Sequence, residues 1–113
     1  MSKYGNRPVW RDGYRFGSQA ELRRYEQLTL LQSAGEIDGL QVHPRYTIID
    51  ALMVGTKREP PIVYEADFGY WQAGQLIVED VKGAWTPVFK IKRRLFLARY
   101  RDVNFRILDA AEV

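Results

Sequence analysis

Three charged residues, Asp67, Asp80 and Lys82, form the combination of side chains in this chain that is best suited to chemistry. They lie within residues 64–82, whose sequence is YEADFGYWQAGQLIVEDVK. A glycine-bearing turn separates two apolar runs there, which predicts a β-hairpin that brings both acids and the lysine together. The two carboxylates and the carbonyl of Val81 offer the hard oxygen ligands that Mg²⁺ prefers. Such a site, with a lysine beside it, suits metal-assisted cleavage of a phosphodiester.

The predicted strand over residues 76–82 decides which acid accompanies the lysine. Successive side chains of a strand point to opposite faces, so Asp80 and Lys82 share one face and Glu79 lies on the other. The rest of this strand is apolar, as in strands buried on both faces, and Gly83 after it leaves room for a ligand or another backbone. The alternative is a solvent-facing hairpin with a weak cross-strand ion pair.

Glu21 is the third acidic candidate, and two interpretations of it stay open. Residues 18–34 predict a helix with Ser18 as its N-cap and Gly35 at its C-terminal stop. The sequence SQAE at 18–21 fits a capping box, in which Glu21 bonds back to the Ser18 amide. Glu21 also begins an inward-facing helical stripe, which would carry it toward the metal site. The other members of that stripe are Tyr25, Leu28 and Leu31.

His43 is the only histidine, and cysteine is absent. This composition excludes a histidine-based catalytic pair or zinc site, a thiolate zinc site and disulfides. We expect His43 and Pro44 to form a structural irregularity within a strand. Gln41 could point into the same cleft as the acids.

The remaining elements follow from periodicity and turn residues. Residues 9–16 alternate around an Asp-Gly pair, which predicts an N-terminal β-hairpin. Thr86 and Pro87 begin a second helix that runs to about residue 100. The predicted strands are 40–49, 62–68, 76–82 and 103–107, residues 51–61 form a loop, and the apolar stripe of the second helix is Val88, Ile91, Leu95 and Ala98. We therefore expect one α/β domain over residues 1–113, with a mixed sheet flanked by helices.

The charge of the chain is mildly basic and unevenly placed. The 113 residues carry a net charge of +3, and the pI is about 9.3. Residues 82–106 hold eight lysines and arginines against one acid, Asp102. A basic face of this size could neutralise several phosphates, although a solvated helix face is the plainer explanation. No apolar run reaches the roughly 20 residues that cross a bilayer, and the N-terminus lacks a signal-peptide core, so we expect a cytoplasmic protein.

The ordered set of Glu21, Asp67 and Asp80-x-Lys82, followed by a basic helix, resembles the PD-(D/E)xK nuclease superfamily. That superfamily has a restriction-endonuclease-like αβββαβ core. One branch resembles the chain further, namely DUF1064, a family of small phage and prophage proteins related to Holliday junction resolvases. The likeness covers most of the chain and is most specific at 78–83. The motifs that carry it are KYGN at 3–6, DGYRFGSQAE at 12–21, YEADF at 64–68, VEDVKG at 78–83 and FKIKRRLF at 89–96.

This resemblance implies a role for each candidate residue. Asp67 and Asp80 would bind Mg²⁺ or Mn²⁺, and Glu21 would complete the acidic cluster. Lys82 would be the catalytic lysine. Ala66 stands where the signature of the superfamily has proline, at a position that varies among its members. The basic helix would contact DNA phosphates through Lys90, Lys92, Arg93 and Arg94.

We therefore expect a metal-dependent DNA endonuclease that acts on branched DNA, in the bacterial host cytoplasm if it is phage-encoded. Resolution of a junction needs two symmetric cuts, so a homodimer is expected. The alternatives are a non-catalytic DNA-binding module of the same fold, a nuclease subunit that needs a partner protein, and a purely structural phage protein. The acidic set argues against a binding module, because acids beside phosphate weaken binding unless a metal lies between them.

Overall fold

The computed structural model describes residues 7–113, so the KYGN motif at 3–6 lies outside the described residues. The described chain has the predicted mixed α/β architecture with an N-terminal β-hairpin. No helix within residues 7–113 is long and apolar enough to cross a membrane. The elements in chain order are β1 (Val9–Arg11), β2 (Tyr14–Phe16), α1 (Gln19–Ser33), β3 (Asp38–Val42), β4 (Arg45–Ile49), β5 (Leu52–Val54), β6 (Lys57–Glu59), β7 (Ile62–Glu65), β8 (Phe68–Gln72), β9 (Gln75–Lys82), α2 (Pro87–Arg99), β10 (Asn104–Asp109) and a 3₁₀ helix (Ala110–Glu112).

A four-stranded sheet in the order β10-β9-β8-β3 forms the centre of the fold. β3, β8 and β9 are successively antiparallel, whereas β10 returns through α2 and lies parallel to β9. Leu28 of α1 packs on one face of the sheet with Ile77, and Phe96 of α2 packs on the other with Val78. The αβββαβ order and the parallel final strand are confirmed.

Helix α1 begins and ends where the sequence predicted. The Ser18 hydroxyl accepts a hydrogen bond from the Glu21 amide at 3.2 Å, which forms the N-cap. At the other end, the Glu36 amide donates to the Leu31 carbonyl at 2.9 Å, as in a Schellman motif. Gly35 lies between them at a φ of +78°, a left-handed conformation that glycine adopts without steric cost.

The hairpin of β8 and β9 turns at Ala73 and Gly74, both of which have positive φ. This is the geometry that matches the twist of two-residue hairpins. The predicted first strand over residues 62–68 is wrong, because the chain changes sheets at Ala66 and Asp67. β7 pairs with β4, and β8 pairs with β9. Asp67 therefore lies just before β8, at the end of the hairpin away from the turn.

The predicted strand over residues 40–49 is likewise two strands that pair with different partners. β3 pairs with β8 and β4 with β7. The chain turns between them at His43, whose φ is +55°, and Pro44 follows without an amide hydrogen for a ladder. The irregularity expected at this point is confirmed, but the single strand is wrong.

The predicted loop over residues 51–61 is a small hairpin of β5 and β6. Leu52, Met53 and Val54 of β5 are all exposed. Because no face of this strand is buried, its sequence lacks the alternation of apolar and polar residues that would predict a strand. Turn formers and charges dominate the local composition, which led to the prediction of a loop.

Helix α2 has the predicted Thr86 N-cap, whose hydroxyl accepts from the Phe89 amide at 3.1 Å. Its buried face differs from the predicted stripe. Phe89 and Phe96 are buried, whereas Val88 and Ile91 are about three-fifths exposed, at 62% and 61%. The two phenylalanines bury more apolar surface than the aliphatic stripe would, so they face the sheet.

Candidate metal centre

Two adjacent acids on β9 lie on opposite faces of the sheet. Glu79 faces α1 and is fully buried, and its carboxylate accepts from Arg24 through Nε at 2.8 Å and through a terminal nitrogen at 2.6 Å. The Tyr70 hydroxyl also donates to Glu79. Hydrogen bonding to Glu79 raises the pKa of Arg24, and burial together with the Glu79 carboxylate raises the pKa of Tyr70 to about 12. These three side chains satisfy one another inside the fold.

Asp80 faces the α2 side of the sheet and is 1% exposed. Its Oδ1 accepts a hydrogen bond from the Asp67 amide at 2.8 Å, and its Oδ2 accepts one from the Tyr64 hydroxyl. Burial raises the pKa of Asp80 to about 6, although the Lys82 charge and the Asp67 amide favour the ionised form. Asp80 is therefore held in one orientation against Asp67.

The paired residues of β8 and β9 end at Phe68 and Glu79, so Asp67 and Asp80 follow at the same end of the hairpin. The Asp67 carboxylate accepts from the Val81 amide at 2.7 Å, while the Asp67 amide donates to Asp80. Burial, the Glu21 charge and a hydrogen bond with Glu21 raise the pKa of Asp67 to about 8. The two acids predicted from their spacing are thus brought together, and the β9 backbone fixes Asp67.

Glu21 lies at the start of α1 and reaches the Asp67 carboxylate. The Ser18 hydroxyl donates to Glu21 Oε2 at 3.2 Å. Within residues 7–113, the hydrogen bonds include none from the Ser18 amide to Glu21, so only the N-cap half of the capping box is made. Gly17 leaves space for this arrangement, since a Cβ at that position would lie 2.8 Å from Glu21 Oε2.

Glu21, His43 and Asp67 each offer a ligand atom, and these atoms lie within 4.8 Å of one another. This is the one group of three or more potential ligands in the described part of the chain. Asp80 adjoins the group through the Asp67 amide but is not a member of it. Sequence reasoning missed His43, because its approach depends on the left-handed turn between β3 and β4. The local signal, a histidine before a proline, fixes no side-chain direction.

Lys82 lies on the same face of β9 as Asp80, as strand alternation predicted. Its Nζ is 4.1 Å from the centroid of the Phe89 ring, a cation–π contact that holds the ammonium against α2. Its positive charge favours the ionised forms of Asp80 and Asp67, so it offsets part of the rise in their pKa values that burial causes. Lys82 shares a pocket of about 380 Å³ with Lys92. The charge of Lys82 therefore acts on both acids, and Lys92 lines the same pocket as Lys82.

Basic side chains line the cavities that adjoin the acids. One cavity, of about 790 Å³, contains Glu21 and Val81 together with Arg7 and Arg23. A smaller cavity of about 380 Å³ contains Arg15 beside the three-residue group. Both cavities are lined by acidic side chains and arginines, a combination that suits an anionic substrate once the negative charge of the acids is offset.

The four basic residues predicted to contact DNA lie on α2 in two different environments. Lys90 and Arg94 are exposed to solvent. Lys92 donates from Nζ to a β7 carbonyl at 3.3 Å, and the Arg93 guanidinium lies 5.4 Å from the Trp85 ring centroid. Lys90 and Arg94 are thus open to a ligand, while the other two also contact the fold.

The donor set of the three-residue group fits a divalent cation. Burial disfavours the charged form of Asp67, and the Glu21 carboxylate within 4.8 Å adds repulsion when both acids are charged. For these two reasons the pKa of Asp67 is raised to about 8. Glu21 and Asp67 are the carboxylates that would hold a cation, and its charge would remove the penalty.

The sequence model of a family described as "Protein of unknown function (DUF1064)" matches residues 1–111, nearly the whole chain. No curated protein matches the sequence.

Proposed function

The chain belongs to the DUF1064 family, whose description assigns no function, and we propose that it is a metal-dependent DNA endonuclease that hydrolyses phosphodiester bonds. The observation that carries the proposal is the mutual fixing of Asp67 and Asp80 across the β8–β9 hairpin. Glu21 lies beside Asp67, and Lys82 lies on the face of Asp80. The likeness of the same four residues to the PD-(D/E)xK motif supports the same conclusion.

Mg²⁺ or Mn²⁺ is the proposed cofactor. When bound, a divalent cation supplies positive charge that stabilises the charge developing on a reacting phosphate. Glu21 and Asp67 would hold it through oxygen, with Asp80 and the Val81 carbonyl completing the set that the sequence predicted. Oxygen donors of this kind suit both ions.

The chain's own residues supply the remaining chemistry. Lys82 would orient the attacking water and offset negative charge at the scissile phosphate, and the Phe89 ring keeps its ammonium in place. The Tyr64 hydroxyl and the Asp67 amide hold Asp80 before substrate arrives. Groups fixed in this way need little reorganisation during the reaction, which is the main source of electrostatic catalysis.

DNA is the proposed substrate because basic side chains surround the acids. Lys90 and Arg94 are exposed on α2, and Arg15 and Arg23 lie in the cavities beside Glu21. Side chains of this kind neutralise phosphates and contribute most of the affinity for a nucleic-acid backbone.

The finer proposal is a homodimer that cuts branched DNA in the cytoplasm of a bacterial host. Resolution of a four-way junction takes two cuts related by symmetry, which one site per chain provides only in a dimer. Sedimentation equilibrium of the protein alone and on a junction would measure the number of chains. A single chain bound to each junction would contradict this part of the proposal.

Cleavage assays with purified protein and Mg²⁺ test the proposal, with four-way junctions, flaps and plain duplexes as substrates. Asp80→Asn and Lys82→Ala should each abolish cleavage, while DNA binding in Ca²⁺ persists. Intact substrates with the wild-type protein, or unchanged cleavage by these variants, would overturn the assignment.

Two matched controls separate a loss of the site from a loss of charge or of fold. Asp50→Asn removes a carboxylate that is 74% exposed and paired with Arg99, and Lys57→Ala removes an exposed lysine of β6. Both should cleave like the wild type. Circular dichroism of all four variants should match the wild type.

A further inference from the structure

We propose that His43 is a nitrogen ligand of the metal centre, together with Glu21 and Asp67, and that it makes the centre prefer Mn²⁺ to Mg²⁺. This inference rests on the metal-binding part of the proposed function and goes beyond it by adding a residue and a selectivity. Its starting point is the distance between donors, since a ring nitrogen of His43 and one oxygen of each acid all lie within 4.8 Å of one another.

The backbone holds His43 beside Asp67 independently of its ring. The His43 amide donates to the Asp67 carbonyl at 2.9 Å, and the Ala66 amide donates to the Pro44 carbonyl at 3.0 Å. These two bonds join the turn between β3 and β4 to the connection between β7 and β8. The imidazole therefore lies near the acids because the backbones of these two segments are hydrogen-bonded to each other.

The backbone conformation of His43 gives an independent argument for use of the ring. Its φ of +55° is left-handed, which costs a side-chain-bearing residue of order 1 kcal/mol or more. Glycine or asparagine would occupy this position at lower cost. Strained residues cluster at ligand clamps and active sites, so strain at a residue that lies against two carboxylates points to a use for the imidazole.

The surroundings of the ring leave it able to reach a ligand. Phe16 contacts one side, with ring centroids 5.9 Å apart. His43 is half-buried and lines the cavity of about 380 Å³ that also contains Arg15, Glu21 and Asp67. Phe16 limits the rotation of the imidazole, while the cavity gives access to solvent ions.

Ligand chemistry then sets the preference among cations. Mg²⁺ is bound in proteins through oxygen and retains several waters. An imidazole nitrogen favours first-row transition ions over Mg²⁺, and among these ions Mn²⁺ is the one that also suits carboxylate and water ligands. A site with two carboxylates and one imidazole should therefore bind Mn²⁺ more tightly than Mg²⁺. Removal of the imidazole should lower the affinity for Mn²⁺ much more than that for Mg²⁺.

Pulsed electron paramagnetic resonance of the Mn²⁺-loaded, tag-free protein tests this directly. His43 is the only histidine, so incorporation of ¹⁵N-histidine labels one residue. The nitrogen modulation of the Mn²⁺ signal should change from the ¹⁴N to the ¹⁵N pattern on labelling, and His43→Asn should remove it. Asparagine tolerates the left-handed backbone, so this variant should fold.

Calorimetric titration of the same proteins with MnCl₂ and MgCl₂ measures the selectivity. His43→Asn should weaken Mn²⁺ binding by about tenfold or more, since even supporting groups around a metal contribute that much. Mg²⁺ binding should change by less than about threefold, because oxygen ligands remain. Gln75→Asn, a variant of an exposed side chain at the start of β9 and outside the three-residue group, is the matched control and should leave both affinities unchanged.

Any of three results would overturn the inference. The nitrogen modulation could stay unchanged on labelling, the protein could fail to bind Mn²⁺, or His43→Asn could lower the affinities for Mn²⁺ and Mg²⁺ equally. Cleavage of DNA without histidine coupling would overturn the inference alone. Histidine coupling in a protein that cleaves no DNA substrate would overturn the proposed endonuclease function and leave the ligand assignment intact.

Discussion

The backbone amide of Asp67 donates a hydrogen bond to the Asp80 carboxylate at 2.8 Å, while the Asp67 carboxylate accepts one from the Val81 amide at 2.7 Å. The first acid is thus fixed by the strand that carries the second. This arrangement places the buried carboxylate of Asp80 beside the partly buried carboxylate of Asp67, at the end of β8 away from the turn. Their proximity makes their protonation, their affinity for cations and the stability of the fold depend on one another.

Metal affinity should rise with pH because Asp67 must lose its proton to bind a cation. Burial and Glu21 raise the pKa of Asp67 to about 8, so a proton competes with the metal below that pH. The association constant for Mn²⁺ should increase by up to about tenfold per pH unit between pH 6 and 8 and level off above. Calorimetry in buffers of different ionisation enthalpy should also detect proton release. A pH-independent association constant would contradict this prediction.

The stability of the metal-free protein should fall as the pH rises. The folded-state pKa of Asp67 lies above its ordinary value of 3.8, so the folded state binds the proton more tightly. Its contribution to stability is present below about pH 4 and is lost as pH rises toward 8. Asp67→Asn removes this dependence, so its Tm should approach that of the wild type at low pH and exceed it at pH 8. Thermal melts in chelator at several pH values measure the difference.

Glu79→Gln should reduce stability without removing the metal site. The change leaves Arg24 largely buried without its carboxylate partner, and loss of one member of a buried pair costs about 3 kcal/mol. Urea unfolding should report this loss, while Mn²⁺ affinity stays close to that of the wild type. The neighbouring variant Asp80→Asn should alter cleavage. If Glu79→Gln instead abolishes metal binding and leaves stability unchanged, the division of roles between the two faces of β9 is wrong.

Gly17→Ala should weaken metal binding through Glu21. The added Cβ would stand 2.8 Å from Glu21 Oε2, so the carboxylate must move while the helix remains capped. A several-fold lower Mn²⁺ affinity with nearly unchanged Tm is the expected result. Gly83→Ala is the matched control, because a Cβ at Gly83 meets no atom within 4 Å. If both variants lower the Mn²⁺ affinity equally, this explanation is wrong.

The exposed cations of α2 should contribute to DNA binding through phosphate contacts. Lys90→Ala and Arg94→Ala should each make the dependence of DNA affinity on salt less steep. The negative slope of the logarithm of the association constant against the logarithm of the salt concentration should decrease in magnitude by about 0.9, measured in Ca²⁺ by fluorescence anisotropy. Affinity should fall to a similar extent for all DNA sequences, since phosphates carry no base information. Lys57→Ala, a change in the distant β5–β6 hairpin, should keep the wild-type slope.

Local patterns predicted the elements that follow from short-range chemistry. The Asp-Gly pair at Asp12, the Ser18 cap and the apolar run of β9 each specify their element within a few residues. The same kind of pattern failed for α2, where Phe89 and Phe96 are buried in place of the aliphatic stripe. Several faces of that helix carry apolar residues, and packing against the sheet selects one of them.

The strand breaks could not be predicted from local patterns. Residues 40–49 and 62–68 each read as one strand, but each changes pairing partners in the middle. The changes at His43 and Asp67 stabilise each other through the hydrogen bond between their backbones at 2.9 Å. Such a bond joins residues 24 positions apart, so no window of sequence contains it.

The sequence by itself determined the fold class, the face shared by Asp80 and Lys82 and the identity of the acidic candidates, because strand alternation and capping act over a few residues. Tertiary structure decided which groups meet. It placed Asp67 against Asp80 and Glu21, added His43 to them and turned Glu79 toward Arg24. The physical reason is that the energies of these contacts arise from burial and charge between segments distant in the chain, which only the packed fold brings together.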